Sequence, residues 1–340
     1  MTLPFDEAKS RLTAAGLETI TFGHEGNTIL ALPSYGRVLG LWTDREQPGF
    51  FWINEGFLAD PGHAGDGWAN PGGDRIWLGP ERELFISDQA DPGNSYVVPR
   101  SADPGRYRCA LESATLVMDN EGMVRGFRSG VEVGFSWSRS IRALDPEATG
   151  AFPGLASAGY EEMTFLHVAQ PSAMPVCLWN LIQVPLGGQV LVPVPGDAPV
   201  TFFGSPGPAV QREKGLIRVD YSKSLAEPFK IGLRASDIRG TMLYLRPDGE
   251  GSELLVRTFD LGQDHQYIDV PWEHREGPGY ALELFCGGSA FGFGELEFHS
   301  PAAGGPAGPD RCHVGSRIHA FRGPEAAIME LVETMTQPVG

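Results

Sequence analysis

Short segments that alternate apolar and polar residues run through most of this chain, separated by clusters of Gly, Pro, Asn and Asp. A period of two places every second side chain on the same face, which is the pattern of a strand with one face buried. "ETITFG" and "NTILALP" alternate on either side of "HEGN", a turn sequence, and read as a hairpin. "VEVGFSWSRSIRAL", "EMTFLHVAQ", "VCLWNLIQV", "ELLVRTFD" and "FGFGELEFHSP" continue the pattern. "ELFIS" reads as another strand, and "DNEG" as the turn between "YRCALESATLVMD" and "MVRGFRS". About eighteen such segments, spaced roughly 8–15 residues apart, imply an all-β sandwich or barrel. The 45 Gly and 28 Pro supply its turns, and 41% hydrophobic residues supply its core.

Helical periodicity is confined to the two ends. "PFDEAKSRLTAAG" predicts a helix within residues 1–17, closed by Gly16. In "GPEAAIMELVETM", Ile328, Leu331, Val332 and Met335 form one apolar stripe, which predicts a second helix within 323–337. No composition break separates these parts, so one domain over residues 1–340 is expected, with the β structure spanning 18–322. Residues 54–70, "NEGFLADPGHAGDGWAN", read as a long loop.

The formal net charge of −17 would repel a phosphate backbone and an anionic membrane surface, and no basic run offsets it. Nucleic acid and membranes are therefore excluded as expected partners, and a small molecule remains. Cys109, Cys177, Cys286 and Cys312 are widely spaced and read as buried, reduced thiols. The start of the chain lacks a secretory pattern, which makes the cytoplasm the expected location. Signatures of dinucleotide binding, phosphate loops, zinc proteases and serine hydrolases do not occur, so neither cofactor nor metal is expected.

The chemistry concentrates in a few stretches. "GGDRIWLGPE", Gly72 to Glu81, holds a cation, an indole and two carboxylates. On a strand, Arg75 and Trp77 share one face and Asp74 and Ile76 the other. Guanidinium and indole together suit a sugar, donating to hydroxyls and covering C–H faces. Glu81 follows at the rim, and Asp74 joins the candidate binding residues. The same stretch also reads as a structural Arg–Asp or Arg–Glu pair beside a core Trp. In "GELEFHSP", Glu295, Glu297 and His299 fall on one face, an arrangement able to perform acid–base work or simply to face solvent. Trp179 and Gln183 share a face in "CLWNLIQVPLGG", and His274 lies in the loop "YIDVPWEHREGPGY".

In this order, "GGDRIWLGPE", "LWNLIQVPLGGQVLVPV" and "FGELEFHSP" resemble the galactose mutarotase-like, aldose epimerase-related superfamily over about residues 18–322. The resemblance implies a β-supersandwich with short terminal helices and a cleft for a monosaccharide or derivative. It further implies a general base on a late strand, for which Glu297 is the match and Glu295 the second choice. The family's general acid is a His, and here Trp179 stands where that His is expected. His299, His274 or Arg75 would have to substitute. Two functions follow as expectations. One is an isomerase that interconverts anomers, with Glu297, His299 and Glu81 as catalytic groups. The other is a carbohydrate-binding or sensing protein that has lost catalysis. A sugar lyase is a third reading. In all of them Asp74, Arg75, Trp77, Trp179, Gln183, His274 and Glu295 are expected to bind the ligand.

Overall fold

The computed structural model describes residues 1–61, 68–222, 224–249, 251–270 and 277–337. Among these residues the strands follow one another as β1 (Ile20–His24), β2 (Asn27–Leu32), β3 (Arg37–Trp42), β4 (Asp74–Gly79) and β5 (Arg108–Glu112). Then come β6 (Thr115–Arg125), β7 (Glu132–Ala143), β8 (Ala156–Val168), β9 (Pro175–Pro185) and β10 (Gly188–Pro193). The third quarter adds β11 (Thr201–Phe203), β12 (Val210–Glu213), β13 (Leu216–Tyr221), β14 (Phe229–Leu233) and β15 (Thr241–Asp248). The last are β16 (Gly251–Phe259), β17 (Leu282–Cys286), β18 (Phe293–His299), β19 (Ala303–Gly304) and β20 (Arg311–Pro324).

They form two antiparallel sheets. The first runs in the order β1-β2-β3-β4-β9-β18-β17-β14-β11, with β19 on β9. The second runs β12-β13-β10-β15-β16-β20-β8-β7-β6-β5. One apolar core joins them, with Ile76, Leu178, Ile182, Leu296 and Phe298 of the first sheet meeting Trp137, Ile141, Tyr160 and Ile318 of the second. This all-β supersandwich is the expected architecture.

Both expected helices are present. Phe5–Ala14 buries Phe5, Ala8 and Leu12, and Gly16 beyond it takes a φ of +75°. Glu325–Thr336 buries Ile328, Leu331 and Val332 in a satellite cluster with Leu191, Leu243, Leu254 and Phe321. No helix among the described residues is long and apolar enough to cross a membrane.

Two local expectations are corrected. "ELFIS" is not a strand; Glu81–Leu84 forms one helical turn, followed by a single bridge at Ile86. "DNEG" is not a turn, because β6 runs straight through it, paired with β7 along its whole length. The hairpin between β5 and β6 turns at Ser113 and Ala114, both with positive φ. Pairing with a long neighbour outweighed the local turn preference. The four thiols are free as read, two buried and two partly buried.

A candidate sugar cavity on the first sheet

The site is written in the register of the first sheet. Residues directly opposite one another on paired strands point to the same side. One transverse row reads Phe203, Lys230, Phe285, Glu295 and Gln183 across β11, β14, β17, β18 and β9. The next row reads Gly232, Glu283, Glu297, Leu181 and Arg75. A third brings His299, Trp179 and Trp77 together. All lie on the face turned away from the second sheet, so strand order and alternation together unite residues more than 200 positions apart.

The glycines of "GGDRIWLGPE" shape the entry to β4. Gly72 and Gly73 have φ of +98° and +76°, and a Cβ on Gly73 would stand 2.4 Å from the Val38 carbonyl oxygen. Only glycine tolerates that approach. The Gly72 carbonyl in turn accepts from the buried Arg37 Nη1 at 2.9 Å.

A cavity of about 770 Å³ opens above these rows. Its charged end is lined by Arg75, Trp77, Glu81, Trp179, Lys230 and Glu295. The Arg75 guanidinium lies 4.0 Å from the Trp77 ring centre and donates from Nη2 to Glu295 Oε1 at 2.7 Å. Gln183 Nε2 donates to the same oxygen at 2.9 Å. Arg75 Nε and Nη1 are buried without a hydrogen-bond partner among the described residues. The Trp77 indole N–H is already taken by Asp103 Oδ2, which also accepts from Trp68 and Arg37.

Lys230 organises the floor. Its ammonium donates to Glu283 Oε2 and Glu297 Oε2, both at 3.0 Å, and to Glu81 Oε2 at 3.3 Å. It also sits 4.6 Å from the Trp179 ring centre. Burial acts to lower its pKa, but Glu283, Glu297 and Glu81 outweigh burial and hold it well above the usual value. Glu81 is the carboxylate of this trio that lines the cavity. It accepts from Tyr96 Oη at 3.0 Å, and its backbone N–H donates to Asp269.

Behind Trp179 lies a closed layer of ionisable groups. Glu297 is fully buried; its Oε2 also accepts from Trp179 Nε1 at 2.8 Å, and its Oε1 has no partner among the described residues. Burial pushes its pKa up to about 8, against the pull of Lys230 and with help from Glu295, Glu283 and Glu81. His299 stacks on Trp179, ring centres 5.8 Å apart, with Nε2 3.3 Å from Glu283 Oε2 and 3.7 Å from Asp269 Oδ2. Burial works to lower its pKa, but the hydrogen bond to Glu283 and the nearby carboxylates raise it. Asp269 is pushed up to about 7 by burial and by Glu283. Glu283 falls to about 2, because Lys230 and His299 outweigh its burial.

Among the described residues, Asp269, Glu283 and His299 present donor atoms within 4.8 Å of one another, close enough to hold a metal ion. The Lys230 ammonium already bonds to the Glu283 oxygen that faces His299, so a fixed cation supplies the charge a metal would bring.

The structure thus gathers Arg75, Trp77, Glu81, Trp179 and Glu295 around the cavity and sets Glu297, Gln183 and His299 one layer behind. Asp74 is a correction. It is fully buried between the sheets, where Arg139 Nη2 and Tyr160 Oη each donate to its Oδ2 at 2.5 Å. Strand alternation turns it away from Arg75. His274 lies outside the described residues. Lys230, Glu283, Asp103 and Tyr96 were missed by sequence reasoning, whereas Asp269 stands in the acid–base loop "YIDVPWEHREGPGY" that the sequence marks out. Lys230 sits in "FKIGLRA", where a single Lys in a strand carries no signal of the carboxylates it will meet.

No family model and no curated protein sequence matches this chain. Solved structures do. A putative aldose 1-epimerase from Escherichia coli K12 is 12% identical with a TM-score of 0.52, covering 90% of this chain and 99% of its own. The Slr1438 protein from Synechocystis sp. PCC 6803 is 10% identical with a TM-score of 0.51, covering 89% and 96%. A galactose mutarotase-like protein from Clostridium acetobutylicum is 10% identical with a TM-score of 0.50, covering 89% and 95%. At such identities the likeness is one of fold. Two antiparallel sheets in this arrangement, matched over nine-tenths of the chain, give this protein the galactose mutarotase-like fold.

Proposed function

We propose that the cavity binds a pyranose and interconverts its anomers, with Glu81 as general base and Lys230 as general acid. The observation that carries this reading is the Lys230–Glu81 pair, 3.3 Å apart and lining the cavity beside Trp179. In an aldose the anomeric hydroxyl and the ring oxygen share one carbon, so paired donor and acceptor groups can serve both. Glu81 takes the proton from the anomeric hydroxyl, and that oxygen becomes the aldehyde carbonyl. The bond between the anomeric carbon and the ring oxygen breaks, and the ring oxygen receives a proton from Lys230. As Glu81 becomes neutral, Lys230 loses one of its three carboxylate partners, which favours the transfer. Rotation about the C1–C2 bond and the reverse steps close the other anomer.

Arg75 and Glu295 offer hydrogen bonds to hydroxyls, and Trp179, with Lys230 and His299 both against its ring, supports the floor beneath them. Glu297 is a positioning residue in this scheme, because it is fully buried and holds both the Trp179 indole and the Lys230 ammonium. Binding without catalysis is the second reading. It is favoured by the absence of a histidine among the described cavity residues, with His299 covered by Trp179.

Polarimetry or saturation-transfer NMR on a panel of aldoses separates the two. Glu81→Gln should keep sugar binding and slow anomer interconversion by about 10²–10⁴-fold. A wild-type protein that binds an aldose yet never exceeds the buffer rate leaves only the binding reading.

A further inference from the structure

The cavity is longer than one sugar. Its lining extends from Trp179, which pairs with His299, to Phe293 at the start of β18. That is six residue steps along the strand, about 20 Å at the usual rise per residue and well beyond one pyranose ring. The part that runs from the Lys230 row toward Phe293 differs in character. Phe285, Phe291, Phe293 and Trp52 line it as a continuous aromatic apron. Ring centres are 4.7 Å apart for Trp52 and Phe293, 5.7 Å for Phe285 and Phe291, and 6.0 Å for Phe291 and Phe293. Phe291 is 52% exposed although it belongs to this cluster.

Two features identify the occupant. The apron is continuous with the charged floor, since Phe285 stands in register between Lys230 and Glu295. Asn54 and Asn70 line the cavity with Trp52, so amide groups accompany the ring faces. Ring faces that run directly into a charged, hydrogen-bonding floor match a pyranose, whose C–H and hydroxyl surfaces alternate in the same way.

We propose that the aromatic apron is a second subsite, and that the ligand is a reducing disaccharide or longer saccharide. Its reducing sugar sits over Lys230 and Glu81, and the next sugar stacks on Phe285, Phe291 and Phe293. This rests on the reading of the charged end as a sugar site.

The test is calorimetric titration with glucose and galactose and with cellobiose, lactose and maltose. At least one disaccharide should bind about tenfold more tightly than either of its component monosaccharides. Phe291→Ala should abolish that gain while leaving monosaccharide affinity unchanged, which also shows the variant is folded. Phe291→Tyr, which keeps the ring, should retain the gain. If monosaccharides bind and no disaccharide gains, or if Phe291→Ala keeps the gain, the second subsite is wrong while the sugar reading stands. If no sugar binds, both are wrong.

Discussion

Two buried ionic clusters lie on opposite faces of the first sheet, and they are built differently. Between the sheets, Asp74 and Glu162 meet Arg139 and Arg257, two anions against two cations, and the Tyr160 and Ser316 hydroxyls donate to the carboxylates. Burial acts to raise both carboxyls; Arg139 and Arg257 lower the pKa of Glu162, while burial, helped by Glu162, keeps that of Asp74 raised. Beneath the cavity, Lys230 and His299 face Glu81, Glu283, Glu297 and Asp269, so carboxylates outnumber cations. The surplus cannot all be ionised in so small a volume, and Glu297 and Asp269 are the groups pushed up. A balanced cluster holds two sheets together. An unbalanced one keeps protons available near neutral pH, a property useful for acid–base chemistry and costly for stability.

The contrast is open to direct test. The largest effect is expected from Arg139→Met, which leaves Asp74 and Glu162 with Arg257 alone; unfolding should become easier by about 3–5 kcal/mol in chemical denaturation. A loss below 1 kcal/mol would show that the inter-sheet charges contribute little. Lys230→Met comes next. It removes the one cation shared by three carboxylates, so at pH 8 a loss of about 3 kcal/mol is expected. The loss should shrink toward pH 5, because protonated carboxyls no longer repel each other. An equal loss at both pH values would contradict the surplus of carboxylates.

Glu297→Gln gives a smaller effect with a definite sign. In the folded protein Glu297 titrates near pH 8 instead of the ordinary 4.5. A raised carboxyl pKa contributes stability that is fully present below 4.5 and is lost as pH rises through the folded value. The wild-type Tm should therefore fall between about pH 5 and pH 8, and the variant's should fall less. Asp269, raised to about 7, acts in the same direction and preserves part of the slope. Glu283 acts oppositely, since its lowered pKa adds stability above 4.5 that is lost as pH falls toward 2. Glu81→Gln should be the mildest, below about 1 kcal/mol, because Glu81 lies at the cavity rim with its side chain 19% exposed. A larger loss would place Glu81 among the structural groups.

Much of this was legible in period-two alternation. It gave the all-β class, the shared face of Arg75 and Trp77, and the common face of Glu295, Glu297 and His299. It also implied that Asp74 points away from Arg75, so the grouping of Asp74 with the binding residues followed the motif against its own strand geometry. Alternation assigns a residue to a face but does not say how deep it lies on that face. Glu297 and His299 share the cavity side of the sheet with Glu295, yet Trp179 and Lys230 cover them. Depth depends on the size of neighbouring side chains on other strands, which the sequence of β18 does not contain.

The sequence by itself determined what is local: strands from period-two alternation, the first helix from its glycine stop and the last from its apolar stripe, and the tight entry to β4 from paired glycines. Only the tertiary structure decided what is non-local. The order β4-β9-β18-β17-β14 brings Glu81, Lys230, Glu283 and Glu297 within hydrogen-bonding distance, although 216 positions separate the first from the last. Strand order is set by how two whole sheets bury their apolar faces, and charge coupling falls off with distance in space, not along the chain. That is why a lone lysine in "FKIGLRA" gave no hint of being the centre of the site.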